Sequence, residues 1–418
     1  MLLQPTRMLN DTPLPLLQTQ LAPPRPPRKL LPRPALLDRL GQAQEGTLSL
    51  VCASPGSGKT TLLGQWRKQL LAQGKPVAWL SLSASENDTQ RFFAALAAAL
   101  HGADPTLGER LRLLLAAGGA STVELLAALF CNEVASHGNT RIILILDDLQ
   151  RIHNPDIDRG LGFILAHAPG NLHITASSRS RPHLSLMRLQ AYDQLTELHS
   201  HDLSLSLQDT RALIQLYSDK PPEEESLQDL HQRTEGWLTG LMMAIRLLKR
   251  RPPEKTPQLA KLGGHVECVR DYFEVMVLSQ HPPELTSFLR DISVLETFDA
   301  ELCDDLRQRE DAERHILALL EHNLFVQATA DSQNRYRLQP LFADYLRACL
   351  QSDSPERIMA LRRRAMQWYT RRREWRPAVE HALACDDTEQ AVDLVEKCAM
   401  SLVRHSDLLT LVINQKQK

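Results

Sequence analysis

The sequence predicts an α/β P-loop NTPase domain, a parallel sheet with helices on both faces, followed by a helical domain, a winged helix and the start of an α-helical repeat array. Three observations predict it. A glycine turn, Ala53-Ser54-Pro55-Gly56-Ser57-Gly58-Lys59-Thr60-Thr61, lies between an apolar strand pattern and a helical pattern. A second apolar run, Ile142 to Leu146, delivers the carboxylates Asp147 and Asp148. Beyond about residue 200 the alternation of strand and helix stops and the pattern turns helical.

A chain of 418 residues exceeds what one hydrophobic core usually serves, so several domains are expected. Its 48 basic residues against 50 acidic ones give no chain-wide nucleic-acid footprint. The 7 cysteines are scattered without a C-x-x-C pair, which fits reduced thiols better than a disulfide framework or a zinc site. No run approaches membrane-spanning length and the N-terminus lacks a signal-peptide core, so a cytoplasmic protein without membrane contact is expected.

Residues 1–28 are proline-rich, ending in Pro23-Pro24-Arg25-Pro26-Pro27-Arg28, and read as a flexible lead. The P-loop ATPase domain is expected over 29–200. It opens with Lys29-Leu30-Leu31-Pro32-Arg33-Pro34 and a short amphipathic helix from Ala35 to Leu40. This segment, Arg33 included, can lie beside a nucleotide's base or ribose, and an ordinary docking helix is an equal alternative. Thr47 to Cys52 is the first strand. After it Gly56, Ser57 and Gly58 let the backbone wrap a phosphate with its N–H groups, Lys59 reaches the outer phosphates, and Thr60 beside Thr61 can place a hydroxyl on Mg²⁺. Ala53 stands where the strict P-loop pattern has glycine and is small enough to keep the turn.

Pro76 to Leu82 is a second buried strand, followed by helices through Arg91 to Leu96 and from Ser121 onward. The third strand brings Asp147 and Asp148 to the C-terminal edge of the sheet, where ligands sit in open α/β folds. Asp147 is the candidate Mg²⁺ ligand and Asp148 the group that orients an attacking water. Leu172 to Ser178 is a fourth strand and ends in Arg179, whose guanidinium can sense γ-phosphate charge.

From Asp202 the helical domain is expected over 201–280. It includes an apolar helix from Gly236 to Leu248, closed by Lys249-Arg250-Arg251 and Pro252-Pro253. Over 281–350, helices precede two short strands, Leu324 to Gln327 and Arg335 to Leu338, around a turn at Asp331-Ser332, which suggests a winged-helix-like lid. Over 351–418, paired short helices with small and aromatic residues at alternating depths resemble the start of TPR-like repeats.

Taken together, Ala53 to Thr61, Leu146-Asp147-Asp148-Leu149, Ser177 to Pro182, Glu235-Gly236-Trp237, Asn323 to Val326, Pro340 to Leu346 and His381 to Ala384 resemble the MalT-type regulators. These are ATP-binding transcription activators of the LuxR family and the STAND class of signal-transduction ATPases. The resemblance covers roughly residues 29 to 410. It implies a switch that clasps ADP at rest and self-associates in the ATP state. The inducer is expected to act through later repeats, and DNA contact through a helix-turn-helix domain that this chain does not include. It also implies phosphate and Mg²⁺ contacts for Lys59 and Thr60, the metal for Asp147 and the γ-phosphate for Arg179. The family commonly has His before Pro-Leu-Phe, turned toward the nucleotide. Here the residue is Gln339, an amide that cannot become cationic.

The expected function is therefore an ATP/ADP-binding regulatory switch with slow hydrolysis as reset. Two alternatives stand beside it: a P-loop ATPase that couples hydrolysis to other work, and a truncated interaction fragment that joins full-length relatives. The polar tail after Leu409-Thr410-Leu411 favours a truncated product over an amino-terminal piece made by design.

Overall fold

The computed structural model describes residues 16–404, apart from 118–121, 219–222, 250–262, 330–333 and 386. The basic run at 249–251 from Arg250 on, the turn at Asp331-Ser332 and the polar tail lie outside the described residues. The chain divides into two units, Met1–Ser204 and Leu205–Lys418.

The first unit is built in chain order from α1 (Pro34–Ala43), β1 (Leu48–Cys52), α2 (Lys59–Ala72), β2 (Val77–Ser81), α3 (Thr89–Ala103), α4 (Glu109–Ala116), α5 (Val123–Ala135), β3 (Ile142–Asp147), α6 (Pro155–Ala166), β4 (Leu172–Ser178), α7 (Met187–Ala191), β5 (Leu195–Leu198) and α8 (Ser200–Leu203). All strand pairs are parallel and the order is β2-β3-β4-β1-β5. β3 is an unbroken apolar run up to Asp147, and β1, β2 and β4 are buried along nearly their whole length, because both faces are covered. Their two-residue period still sorts the side chains between two cores. Leu48, Leu50, Ile142, Leu144 and Leu146 face a core with Phe92, Phe93 and Phe130 of α3 and α5. Val51, Ile143 and Ile145 face Leu40, Leu62, Leu63 and Trp66 of α1 and α2.

Two features differ from expectation. β5 was not predicted: Leu-Thr-Glu-Leu is short, polar at its centre and mostly half-exposed, as suits a strand paired on one side only. In the lead, Gln18–Leu21 forms a 3-10 turn, and the Gln20 amide donates to the carbonyl of Ser81 at 3.4 Å and to Glu86 at 3.0 Å. The described part of the lead is therefore bonded to the sheet edge.

The second unit is helical: α9 (Leu207–Tyr217), α10 (Glu224–Thr234), α11 (Leu238–Lys249), α12 (Glu267–Met276), α13 (Pro283–Ile292), α14 (Ala300–Arg307), α15 (Ala312–Glu321), the antiparallel pair β6 (Val326–Ala328) and β7 (Tyr336–Leu338), then α16 (Pro340–Asp353), α17 (Pro355–Arg372), α18 (Trp375–Leu383) and α19 (Thr388–Arg404). Phe273 is its aromatic hub, with ring centroids of Trp237, Phe325, Phe342 and Tyr345 all between 4.8 and 5.4 Å away. Gly236 must be glycine: its φ is +72°, and an added Cβ would lie 2.1 Å from the Leu205 carbonyl oxygen. Asp291 of α13, only 3% exposed in its side chain, joins Arg307 of α14 and Arg357 of α17. Among the described residues no helix is long and apolar enough to cross a membrane.

Candidate nucleotide-binding site

β1 runs into the turn 53–58 and α2 begins at Lys59. Gly56 and Gly58 have φ of +74° and +92°, a left-handed backbone that glycine adopts without a Cβ penalty. The first backbone bond of the helix runs from the Leu62 N–H to the Gly58 carbonyl at 2.9 Å. The N–H groups before it have no acceptor within the helix. Together with the positive end of the α2 dipole they form a cradle suited to phosphate. The cradle is braced by Ser57, whose hydroxyl donates to the Ser54 carbonyl at 2.9 Å, and by Ser200, whose hydroxyl accepts from the Ser54 N–H at 3.1 Å.

Lys59 is 7% exposed and folds back on the turn, donating to the carbonyls of Ala53 at 2.7 Å and Ser54 at 3.1 Å. Burial lowers its pKa to about 8, with Asp148 and Asp147 opposing the shift and Arg179 reinforcing it. The ammonium group thus carries little solvation to lose when an anion arrives.

Asp147, at the end of β3, is 2% exposed. Its Oδ1 accepts from the Thr60 hydroxyl at 3.0 Å and from the Ser177 hydroxyl at 2.5 Å. Burial pushes its carboxyl above the usual carboxylate range, while Ser177, Thr60 and Lys59 pull it back. A hydroxyl and a carboxylate facing each other at the foot of a phosphate cradle are oxygen donors of the kind Mg²⁺ takes, with phosphate and water filling the rest of its shell. Among the described residues no cluster of three or more His, Cys, Asp or Glu could hold a metal, so a cation here would need the nucleotide as co-ligand.

Asp148 follows in a left-handed conformation, φ +63° and ψ +44°. Its N–H donates to the Ser177 hydroxyl at 3.0 Å and its carboxylate accepts from the Gln150 amide at 2.8 Å. The Gln150 carbonyl oxygen in turn accepts the Arg179 N–H at 3.0 Å. An unbroken polar chain therefore links Thr60, Asp147, Ser177, Asp148, Gln150 and Arg179 from α2 across to the end of β4. Register explains it: Leu146 pairs with Ala176, so the next residues, Asp147 and Ser177, stand side by side.

The structure brings Gly56, Ser57, Gly58, Lys59, Thr60, Thr61, Asp147, Asp148 and Arg179 to one edge of the sheet, at the C-terminal ends of β1, β3 and β4. Arg33 and Gln339 are engaged in other ways. The Arg33 guanidinium donates to the carbonyls of Leu203 at 2.8 Å, Asp202 at 3.1 Å and Ser204 at 3.3 Å. Gln339, in the second unit, caps α16: its Oε1 accepts from the Phe342 N–H at 2.9 Å and its Nε2 donates to the Arg233 carbonyl at 3.0 Å. Arg181 is turned to an exposed pairing with Glu197 at 3.3 Å. Sequence reasoning did not single out Ser177, Gln150 or Ser200. Ser177 carried one signal, a polar residue ending an apolar strand, but only the β3–β4 register shows that it meets Asp147.

Residues 42–170 match the AAA domain family and residues 274–358 the MalT winged helix domain. The chain is 31% identical over 395 residues to the serine/threonine-protein kinase PknK of Mycobacterium tuberculosis, an alignment covering 94% of this chain and 35% of that protein. It is 30% identical over 396 residues to the HTH-type transcriptional regulator MalT of Serratia proteamaculans, covering 91% of this chain and 42% of that one. The chain thus spans well under half the length of these curated relatives. Its fold resembles a Walker-type ATPase of Pyrococcus abyssi, with a TM-score of 0.55 at 14% identity over 77% of this chain and 98% of that one.

Proposed function

We propose that this chain, similar over nine tenths of its length to a MalT regulator and bearing an AAA domain and a MalT winged helix domain, is the ATP/ADP-driven switch part of a MalT-like regulator. The observation that carries the proposal is the Thr60–Asp147 pair, 3.0 Å apart, beside a buried Lys59 at the head of α2. In this reading the first-turn N–H groups and Lys59 hold the phosphates, Thr60 and Asp147 hold Mg²⁺, and Arg179 answers to the γ-phosphate.

Hydrolysis serves as a slow reset. Asp148 orients a water whose oxygen bonds to the γ-phosphorus as the bridging P–O bond to ADP breaks, and the water's proton passes to the carboxylate or to solvent. The ATP state favours self-association, in the cytoplasm, and mixed assembly with longer relatives follows the same surfaces. Inducer response belongs to the helical repeats that α17 to α19 would open, and DNA contact to parts of the relatives this chain does not match. Moving a two-state population from 1:99 to 99:1 requires about 5.5 kcal/mol of differential affinity, which γ-phosphate contacts are of a size to supply. For Arg33 or Gln339 to contact a nucleotide, Arg33 must first release three backbone carbonyls and Gln339 one.

Titration of the purified chain with Mg-ATP and with ADP tests the proposal. Both nucleotides should bind, and Lys59→Ala should weaken binding roughly 10- to 100-fold, the value of a charge-assisted contact. Absence of binding, or binding indifferent to Lys59→Ala, would exclude the switch.

A further inference from the structure

Gln150 is assigned neither to phosphate nor to metal, yet alongside Ser177 it ties the end of β3 to the end of β4. Its amide donates to the Asp148 carboxylate at 2.8 Å and its carbonyl oxygen accepts the Arg179 backbone N–H at 3.0 Å. The orientation of this amide is fixed by its partners. A backbone N–H can only donate, so Oε1 must face Arg179, and an ionised carboxylate can only accept, so Nε2 must face Asp148. Asp148 is held on its other side by Ser177, which takes its N–H at 3.0 Å. The side chain of Gln150 therefore sets the carboxylate of one strand end against the backbone that launches the arginine of the next.

We propose that Gln150 is a positioning residue that fixes Asp148 and Arg179 relative to one another at the γ-phosphate end of the site, so that it governs discrimination of ATP from ADP and not the grip on the diphosphate. The proposal rests on the nucleotide-switch reading of the site. The diphosphate cradle is formed by the turn 53–58 and α2, none of whose side chains bonds Gln150 among the contacts of the described residues. Asp148 and Arg179 are the groups that the proposed function assigns to the γ-phosphate end. Of the charged groups around this point, the Asp148 carboxylate touches the Gln150 amide, and Lys59 feels the charges of Asp148, Arg179 and Asp147.

A glutamate at 150 separates positioning from mere packing. Ionised, it faces the Asp148 carboxylate as a like charge and cannot donate to it. The experiment measures dissociation constants of Mg-ADP and of the slowly hydrolysed analogue Mg-ATPγS for the 418-residue chain. Wild type, Gln150→Ala and Gln150→Glu are compared at about pH 8, where a glutamate is ionised. Gln150→Ala should leave Mg-ADP within about twofold and weaken Mg-ATPγS roughly tenfold, the value of one positioning hydrogen bond. Gln150→Glu, which keeps the size of the side chain but has no donor for Asp148, should lose Mg-ATPγS at least as far and keep Mg-ADP.

Equal losses for both nucleotides in Gln150→Ala, no loss in either, or a Gln150→Glu chain that binds Mg-ATPγS as wild type does would overturn the positioning role while leaving the switch reading intact. A wild-type chain that binds neither nucleotide would overturn both.

Discussion

Ser177 Oγ donates to Asp147 Oδ1 at 2.5 Å across the β3–β4 pair, and the same hydroxyl oxygen accepts from the Asp148 N–H at 3.0 Å. One hydroxyl thus supports the carboxylate proposed for Mg²⁺ and the backbone of its neighbour. Even with this support, burial keeps the Asp147 carboxyl above its ordinary value. The sign follows: a folded-state pKa above the unfolded one means that ionising Asp147 at neutral pH costs stability, and that this cost disappears as pH falls toward the unfolded value. Asp147→Asn keeps the acceptor for Thr60 and Ser177 and removes the charge. It should raise the unfolding midpoint of the nucleotide-free protein at pH 7 while abolishing Mg²⁺-dependent tightening of nucleotide binding. Thermal melts with and without Mg-ATP read both effects.

Lys59 gives a second pH signature. With its pKa lowered to about 8 by burial, the free protein loses the ammonium charge above that pH, whereas a bound phosphate would hold the proton on. Nucleotide affinity should therefore fall as pH rises above about 8, by up to tenfold per unit, with proton uptake on binding. Calorimetric titrations in buffers of different ionisation enthalpy measure that uptake. Affinity that is flat across this range would remove Lys59 from the phosphate contact.

His173 is fully buried in β4, with Nδ1 at 2.9 Å from the Gly46 carbonyl and Nε2 at 3.1 Å from the Ser49 hydroxyl, and its ring lies edge-on to Trp66. Burial lowers its pKa from 6.5 to about 4. The unfolded chain therefore takes up the proton first, and stability is lost as pH falls from 6.5 toward 4, by roughly 3 kcal/mol at most. His173→Gln should be less stable at pH 7 yet show a flatter acid limb in urea denaturation.

Asp291 predicts the largest single loss in the helical unit. Its carboxylate accepts from Arg357 through two bonds of 2.8 Å and from Arg307 at 3.3 Å, and both Asp291 and Arg307 side chains are only 3% exposed. Removing it leaves the buried Arg307 with Asp311 as its remaining carboxylate among the described residues, beside the Phe288 ring. Asp291→Ala should cost about 3–5 kcal/mol. Arg357→Ala, at a half-exposed position, should cost about 1 kcal/mol or less. Urea denaturation of the two variants tests the contrast.

Much of this was legible from the chain. β3 is an apolar run of the kind a doubly covered sheet holds, β1, β2 and β4 carry enough apolar residues between turns to be read as its neighbours, and the resemblance to MalT-type regulators holds. The match to the MalT winged helix domain covers 274–358, which takes in the end of α12 and the start of α17. β5 escaped because an edge strand need not be apolar. Thr60 and Asp147 were paired from motif alone, but Ser177 and Gln150 were not, since their roles depend on which strand neighbours β3. The engagement of Arg33 and Gln339 with backbone carbonyls was equally invisible: such contacts join residues more than a hundred positions apart.

Asp148 has a further consequence for anyone who would re-engineer this protein. A side chain held at φ +63° costs on the order of 1 kcal/mol that glycine would not incur. A search for hardier variants would therefore reach position 148 early and favour glycine there. The gain in robustness would come with the loss of the carboxylate proposed to aim the water, and of the acceptor that Gln150 grips. At this residue durability and responsiveness make opposite demands, and the sequence has kept the responsive choice.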